Sequence, residues 1–353
     1  MSGVRIRQTG SVGHITLTRP KAMNALTHGM ALLIERALDN WAFDPTVEYV
    51  LIDAEGDRAF CAGGDLIGLY QAGQAGDYAC AADFWRDEYR LNHKIATFTK
   101  PYVALMHGVV MGGGVGISAH GSHRVVTDTT LIAMPECSVG LVPDVGGTHI
   151  LGNAPGHLGL HLGLTGARMS AADAIYAGFA DHYVPAGKWD SLKNALEQGA
   201  GVDAILDHAE TPSDGTLSDV QAEIDAVYGV DQLGEAFETR ASVGFDWAKK
   251  ATEKIGAASP LCAVLTWDLI KAAAMKDDLT SALNAEFRCT SRALELGDFG
   301  EGIRAAIVDK DRNPNWKHKS ISDVPAELIS QMHSPATGGD LQLQTWEELK
   351  PCA

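Results

Sequence analysis

The chain is short of basic residues. Its 28 Lys and Arg stand against 45 Asp and Glu, a formal charge of −17. Nucleic acid and anionic membrane surfaces are bound through a basic footprint, so neither is an expected partner. An anionic small molecule is not excluded, because it needs only a local cluster of donors. Cysteine is sparse too: Cys61, Cys80, Cys137, Cys262, Cys289 and Cys352 are scattered without C-x-x-C spacing. That excludes a recognisable zinc ribbon or disulfide framework and points to a reducing compartment. The N-terminal MSGVRIRQTGSVGHITLTRP lacks the apolar core of a secretory signal and the Arg- and Ser-rich character of a transit peptide. The expected location is cytoplasmic, and a mature matrix protein would read the same way. No apolar run is long enough to span a bilayer.

What is present is a core of ordinary richness, 46% apolar over 353 residues, enough for about two domains. HITLT (14–18) alternates like a strand, and VEYVLID (47–53) is an apolar run of strand length. Met30, Leu33, Ile34, Ala37, Leu38 and Trp41 make one helical stripe between them. AFCAGGDL enters a glycine loop, and a helix is expected over 81–98. PYVALMHG is strand-like, and GVVMGGGVG then leads into a small-residue helix, ISAHG (117–121). RVVT and LIAM are further short strands. Strands alternating with helices predict an α/β domain with buried strands. After about residue 200 the pattern changes. Residues 202–231 are acidic and strand-poor, and 260–296 carry helical periodicity through Leu261, Val264, Leu265 and Leu269. The expected division is 1–200 for an α/β core and 201–353 for a helical C-terminal region.

The segment MPECSVGLVPDVGG (134–147) places Glu136 and Asp144 among apolar residues, glycine and proline. A buried carboxylate costs several kcal/mol unless it is paired or hydrogen-bonded, so two kept here suggest use. Acids in different surroundings can have their pKa values pushed apart, which is what acid/base chemistry requires. Gly140 and Pro143 break any helix between them, so the two approach from separate pieces of backbone. Two glycine clusters precede this segment, FCAGGD (60–65) and HGVVMGGGVG (107–116). Neither is a phosphate-binding Walker loop or a well-placed dinucleotide fingerprint. They suit an oxyanion hole, in which two backbone N–H groups stabilise the charge growing on a carbonyl under attack. A helix starting at 112–114 adds its positive end. The competing reading is that these glycines serve turns and tight packing.

Taken together, FCAGGDL, HGVVMGGGVG and MPECSVGLVPDVGG resemble the enoyl-CoA hydratase/isomerase (crotonase) superfamily. FWRDEYRLNH (84–93) and DFGEGIRAAIVDKDRNPNW (298–316) resemble its thioester-hydrolysing branch. The resemblance runs from the N-terminus to about residue 320. It implies a crotonase (ClpP-like) spiral core of ββα turns with a helical C-terminal domain. It places the oxyanion amides at Gly64 and Gly113, and the catalytic acids at Glu136 and Asp144. Glu88 then joins Gly113, Glu136 and Asp144 around the substrate. The acyl-CoA partner is expected along Lys21, Ala22, Ala62, Asp65 and Leu66, with Arg19 a further candidate for a phosphate contact. The implied reaction is hydrolysis of a short 3-hydroxyacyl-CoA, foremost 3-hydroxyisobutyryl-CoA, as in valine breakdown. No metal or redox cofactor is expected, since CoA is part of the substrate. The family's habit of assembly admits a homo-oligomer.

One departure decides between branches. Hydratases carry a second catalytic glutamate just after the GGG run, where this chain has Gly116. Water addition to a double bond by two glutamates therefore lacks one acid. A one-glutamate hydratase or isomerase and a catalytically silent acyl-CoA binder remain as alternatives. Cys137 with His107 or His149 could suggest a Cys–His hydrolase, but core packing suits these cysteines better. His120 with His123, and His157 with His161, lack a third ligand and are read as structural or surface groups. Trp316 is read as an anchor for the C-terminal segment.

Overall fold

The computed structural model describes residues 3–350 apart from 214 and 243, so Cys352 lies outside the described residues. Among the described residues are strands β1 (Val4–Thr9), β2 (Val12–Leu17), β3 (Tyr49–Ala54), β4 (Ala59–Cys61), β5 (Tyr102–Met106), β6 (Val109–Met111), β7 (His123–Val126), β8 (Leu131–Ala133) and β9 (His182–Tyr183). They form a larger sheet in the order β1-β2-β3-β5-β7-β9 and a smaller one in the order β4-β6-β8. β1 and β2 pair antiparallel, and the other pairings are parallel. The spiral follows from this order. β3 and β4, then β5 and β6, then β7 and β8 each give one strand to the larger sheet and the next to the smaller, and helix follows.

The continuous apolar run of β3 is explained by its two covered faces. Val50 and Ile52 point into the main core with Ile15, Leu17 and Ala104. Tyr49 and Leu51 point the other way, into a cluster with Val103, Leu105 and Val125, closed by Leu192 and Leu196. Those leucines come from the helix Ala186–Glu197, which covers that face of the sheet. The C-terminal region is helical, as its periodicity predicts. Its long helices Pro260–Lys276 and Leu279–Thr290 are capped by Ser259 and Asp278. Phe287 and Phe299 from this region lie in one buried cluster with Trp85 and Tyr89. The composition therefore changes near 200, while the apolar core runs on through both parts.

One expectation needs refinement, and one acidic stretch packs more closely than its charge suggests. The helix after the glycine run begins at Gly113, where the oxyanion-hole reading placed its start, and not at Ile117: it spans Gly113–Gly116, and the preceding Val109–Met111 is strand β6. Glycine lowers helix propensity, so the pattern reads as loop. Here it is wanted because a Cβ at Gly114 would overlap the Cys61 carbonyl of β4. The acidic stretch is also less solvated than its composition suggests. Its helix Gln221–Tyr228 buries Ile224, Val227 and Tyr228.

Candidate active site

The carboxyl ends of β4, β6 and β8 lie side by side in the smaller sheet. The chain leaves β4 into Ala62–Gly64, β6 into Gly112 and Gly113, and β8 into Pro135 and Glu136. Three sequence-distant motifs are thus brought to one rim by strand order alone, the usual place for a ligand in a parallel sheet. They line a cavity of about 170 Å³. Glu88, from the middle of the helix Tyr78–Ala96, and Asp144, from the loop after β8, close it with Leu69, Trp85, Leu141 and Phe299.

The two glycines proposed for the oxyanion are neighbours. Leu26 bridges Gly64 by donating its N–H to the Gly63 carbonyl and accepting from the Asp65 N–H, at 2.9 and 2.8 Å. In a parallel bridge of this kind the N–H of Gly64 itself turns away from Leu26. Gly113 opens a helical turn, where the first N–H groups have no partner within the helix. A Cβ at Gly113 would sit 3.5 Å from the Gly64 nitrogen and 2.5 Å from Glu88 Oε1. A side chain at 113 would therefore fill the space between the amide pair and the Glu88 carboxyl.

The acids are almost fully buried: Glu88 is 2% exposed, Asp144 5% and Glu136 6%. Among the described residues lining the cavity there is no Lys, Arg or His. Burial pushes the Glu136 carboxyl well above its ordinary range, and the neighbouring Asp144 pushes it further. Glu88 is raised by the same two causes in the same order. Burial lifts Asp144 to about 7, against the pull of the Tyr89 hydroxyl, which donates to Oδ2 at 2.7 Å. Among the described residues Glu88 Oε1 and Glu136 Oε2 are buried without a hydrogen-bond partner. Buried polar atoms are normally satisfied, so these two are poised to meet a ligand. The arrangement offers two N–H donors and three acids around one small apolar chamber.

The position equivalent to a second hydratase acid is closed. A Cβ at Gly116 would meet Asn92 Nδ2 at 2.7 Å and Val145 Cβ at 2.8 Å. Of the residues expected along CoA, Ala62 and Leu66 line the cavity. Asp65 lines an adjoining trough of about 460 Å³ that shares Leu69 and Phe84 with it. Lys21 and Ala22 are exposed on the turn Pro20–Ala22, and Lys21 lines a separate cleft with Arg58. Arg19 is engaged within the protein. Its guanidinium donates to Asp65 Oδ2 at 2.9 Å and to the Ala25 carbonyl at 2.6 Å, which fixes the loop.

Other candidates fall outside the chamber. Cys137 Sγ lies against Thr266 Oγ1 at 3.2 Å and the Gly163 carbonyl at 3.5 Å, and burial pushes its thiol up to about 12. His120 donates to the Val145 carbonyl, and His161 lies against Tyr228 and Trp247. Trp316 donates to the Ala257 carbonyl at 3.0 Å. His14, Asp53 and Glu197 have metal-like proximity, but Lys193 Nζ already sits 2.6 Å from Asp53 Oδ2, where a cation would bind. Two residues near the chamber were not singled out in the sequence. Tyr89 lies next to Glu88, and Glu286 lies on the helix Leu279–Thr290. The signal for Glu286 was available: it shares a buried stripe with Ala282, Leu283 and Phe287.

The sequence pattern of the enoyl-CoA hydratase/isomerase family matches residues 12–333, and the chain belongs to that family. Its curated relatives include the mitochondrial 3-hydroxyisobutyryl-CoA hydrolase of Danio rerio, 37% identical over 97% of this chain and 92% of that protein. The human protein of the same name is 35% identical over 96% of this chain and 90% of its own. Among solved structures, an enoyl-CoA hydratase from Rhodobacter sphaeroides 2.4.1 is 46% identical with a TM-score of 0.91, covering 97% of this chain and 100% of that one. A carnitinyl-CoA dehydratase from Mycobacterium thermoresistibile is 41% identical with a TM-score of 0.92, covering 96% and 98%.

Proposed function

We propose that the protein hydrolyses the thioester of a short 3-hydroxyacyl-CoA, with 3-hydroxyisobutyryl-CoA, the substrate named for its curated relatives, as the first candidate. The observation that carries this reading is the closed position at Gly116 beside an intact Glu136 and amide pair. In the proposed reaction the carbonyl oxygen lies between the N–H groups of Gly64 and Gly113. Each such donor is typically worth about 2.7–4 kcal/mol of transition-state stabilisation. Glu136 attacks the acyl carbon to give an anhydride that water opens, or it draws a proton from water that attacks directly. Either way the C–S bond breaks, the sulfur takes a proton and one water is consumed; in the anhydride route its oxygen ends in the released acid or in the restored Glu136 carboxyl, according to which carbonyl it attacks. Asp144 and Glu88 hold the substrate hydroxyl or the water. No oxidation state changes, so the proposed steps call for no redox group, and CoA comes in as part of the substrate.

The placement in valine breakdown and in a reducing compartment belongs to the same proposal. The cytoplasmic reading and the mitochondrial designation of the relatives share that reducing character. The test is release of free thiol from 3-hydroxyisobutyryl-CoA. Wild-type protein should release it, and Glu136→Gln should abolish release while keeping the fold. Near-normal turnover by Glu136→Gln would overturn the role given to Glu136.

The two similar solved structures, an enoyl-CoA hydratase and a carnitinyl-CoA dehydratase, favour a second reading, addition of water to an enoyl-CoA or its removal. It predicts loss of the double-bond absorbance of crotonyl-CoA without thiol release. Position 116 supplies no acid for that reaction, and the acids beside Glu136 stand on other elements. Binding of acyl-CoA with turnover of no thioester would leave a silent binder.

A further inference from the structure

The turn that carries Asp144 is held in a costly shape. Val145 has φ of 55° and Gly146 of 77°. The left-handed region is unfavourable for a β-branched residue, and it persists only where the surroundings over-determine it. Three contacts do so. The Tyr89 hydroxyl donates to Asp144 Oδ2, and His120 Nε2–H donates to the Val145 carbonyl, both at 2.7 Å. The third comes from far along the chain. Glu286 Oε2 accepts the Gly146 N–H at 2.7 Å, while Oε1 accepts the Thr148 N–H at 2.9 Å and the Thr148 hydroxyl. Glu286 has no exposed surface. Its carboxyl thus binds both sides of Gly147, immediately after the strained residue.

We propose that Glu286 is a positioning residue that clamps the turn bearing Asp144 from the C-terminal helical region, which makes that region part of the active site. The inference rests on the reading of Asp144 as a substrate-facing carboxyl. The groups facing Glu286 are consistent with a clamp. Asp144 approaches from the loop, Thr148 from the helix Gly147–Gly152, Glu136 from the turn after β8, Tyr89 from the helix Tyr78–Ala96, and Cys289 from its own helix. None of these is a cation, so the backbone amides and the Thr148 hydroxyl are what this acid holds. Gln in its place keeps an oxygen for Thr148 but turns an amide N–H₂ toward the Gly146 N–H, so one clamp bond is lost.

The experiment is a double-mutant comparison of thiol release from 3-hydroxyisobutyryl-CoA. Displacing a catalytic group by about 1 Å can cost about 100-fold, so Glu286→Gln should lower kcat by about that factor and leave KM nearly unchanged. Thr148→Val, which removes only the hydroxyl bond, should show a smaller loss with the same pattern. The decisive arm is Glu286→Gln placed on Asp144→Asn. A residue acting through Asp144 has nothing further to lose there, so kcat should fall little below that of Asp144→Asn alone. Independent, multiplicative losses would overturn the clamp and leave Glu286 with a general structural role. Wild-type turnover by Asp144→Asn alone would overturn the reading of Asp144 itself, a different failure. Thr148→Val covers the case in which Glu286→Gln fails to fold.

Discussion

Asp144→Asn should make the protein more stable at alkaline pH, and the gain should disappear in acid. Asp144 is buried in a chamber lined by Glu88 and Glu136 and by no cation among the described residues. Burial raises its carboxyl from 3.8 to about 7. The unfolded chain releases this proton near pH 4, whereas the folded chain keeps it to about pH 7. Between those values the folded state binds more protons, so stability falls as pH rises. At about 1.36 kcal/mol per pH unit, the loss by pH 8 is roughly 4 kcal/mol. Asn has nearly the same shape, keeps an oxygen for the Tyr89 hydroxyl, and does not ionise.

The assay is urea unfolding followed by the fluorescence of the seven tryptophans, from pH 4 to pH 9. The unfolding midpoint of Asp144→Asn should exceed that of wild type at pH 8, and the two should converge near pH 4. Thiol release by the same variant should be severely reduced. The buried acid then weakens the fold in exchange for function, as active-site groups often do. Parallel pH dependence of the two midpoints would refute the reasoning, because the proton would then not be held at Asp144.

Two further outcomes follow from the packing. Gly116→Glu, which restores the hydratase acid in sequence, should not produce crotonyl-CoA hydration. Its Cβ collides with Asn92 and Val145, so the variant should instead lose about 1–3 kcal/mol in urea unfolding. Cys137→Ala should keep full thiol release and lose about 1 kcal/mol of stability, since its sulfur packs on Thr266 and Gly163 rather than facing the chamber. Loss of turnover with the fold intact would revive a cysteine mechanism.

The legible part of the fold was the part whose residues face one environment. β3 and β5 are covered on both faces and read as apolar runs, and the 30–41 stripe read as a helix. β6 was hidden because its three residues sit inside a glycine-rich run, where propensity favours loop. The division of strands between two sheets could not be read at all, because it depends on pairing and not on pattern. The site divided in the same way. Glu136, Asp144, Gly64 and Gly113 lie in dense motifs, and the structure gathers them at one rim. Glu286 meets Thr148 across 138 positions; its helical stripe marks it as buried, but not which residue it meets. Arg19 is a candidate phosphate contact in sequence, and what the sequence does not show is that Asp65 pairs with it.

The arrangement of acids also bears on which acyl chains the chamber accepts. Glu88, Glu136, Asp144 and Glu286 are buried together, and each is raised above its ordinary range. Glu88, Glu136 and Asp144 line the chamber with no cation among its described lining residues, and each favours its neutral form more than an exposed acid does. Two of its oxygens, Glu88 Oε1 and Glu136 Oε2, have no partner among the described residues. In the proposed reaction Glu136 acts on the carbonyl side, which leaves Glu88, beside Gly113, for the substrate hydroxyl. An acyl chain without that hydroxyl leaves the buried Glu88 without that partner. Sites that hydrogen-bond a substrate hydroxyl can reject the analogue lacking it by about 10⁴–10⁵. A methylene more or less against Leu69, Trp85 or Phe299 is worth only about 1–3 kcal/mol. Selectivity should therefore follow the hydroxyl far more steeply than chain length.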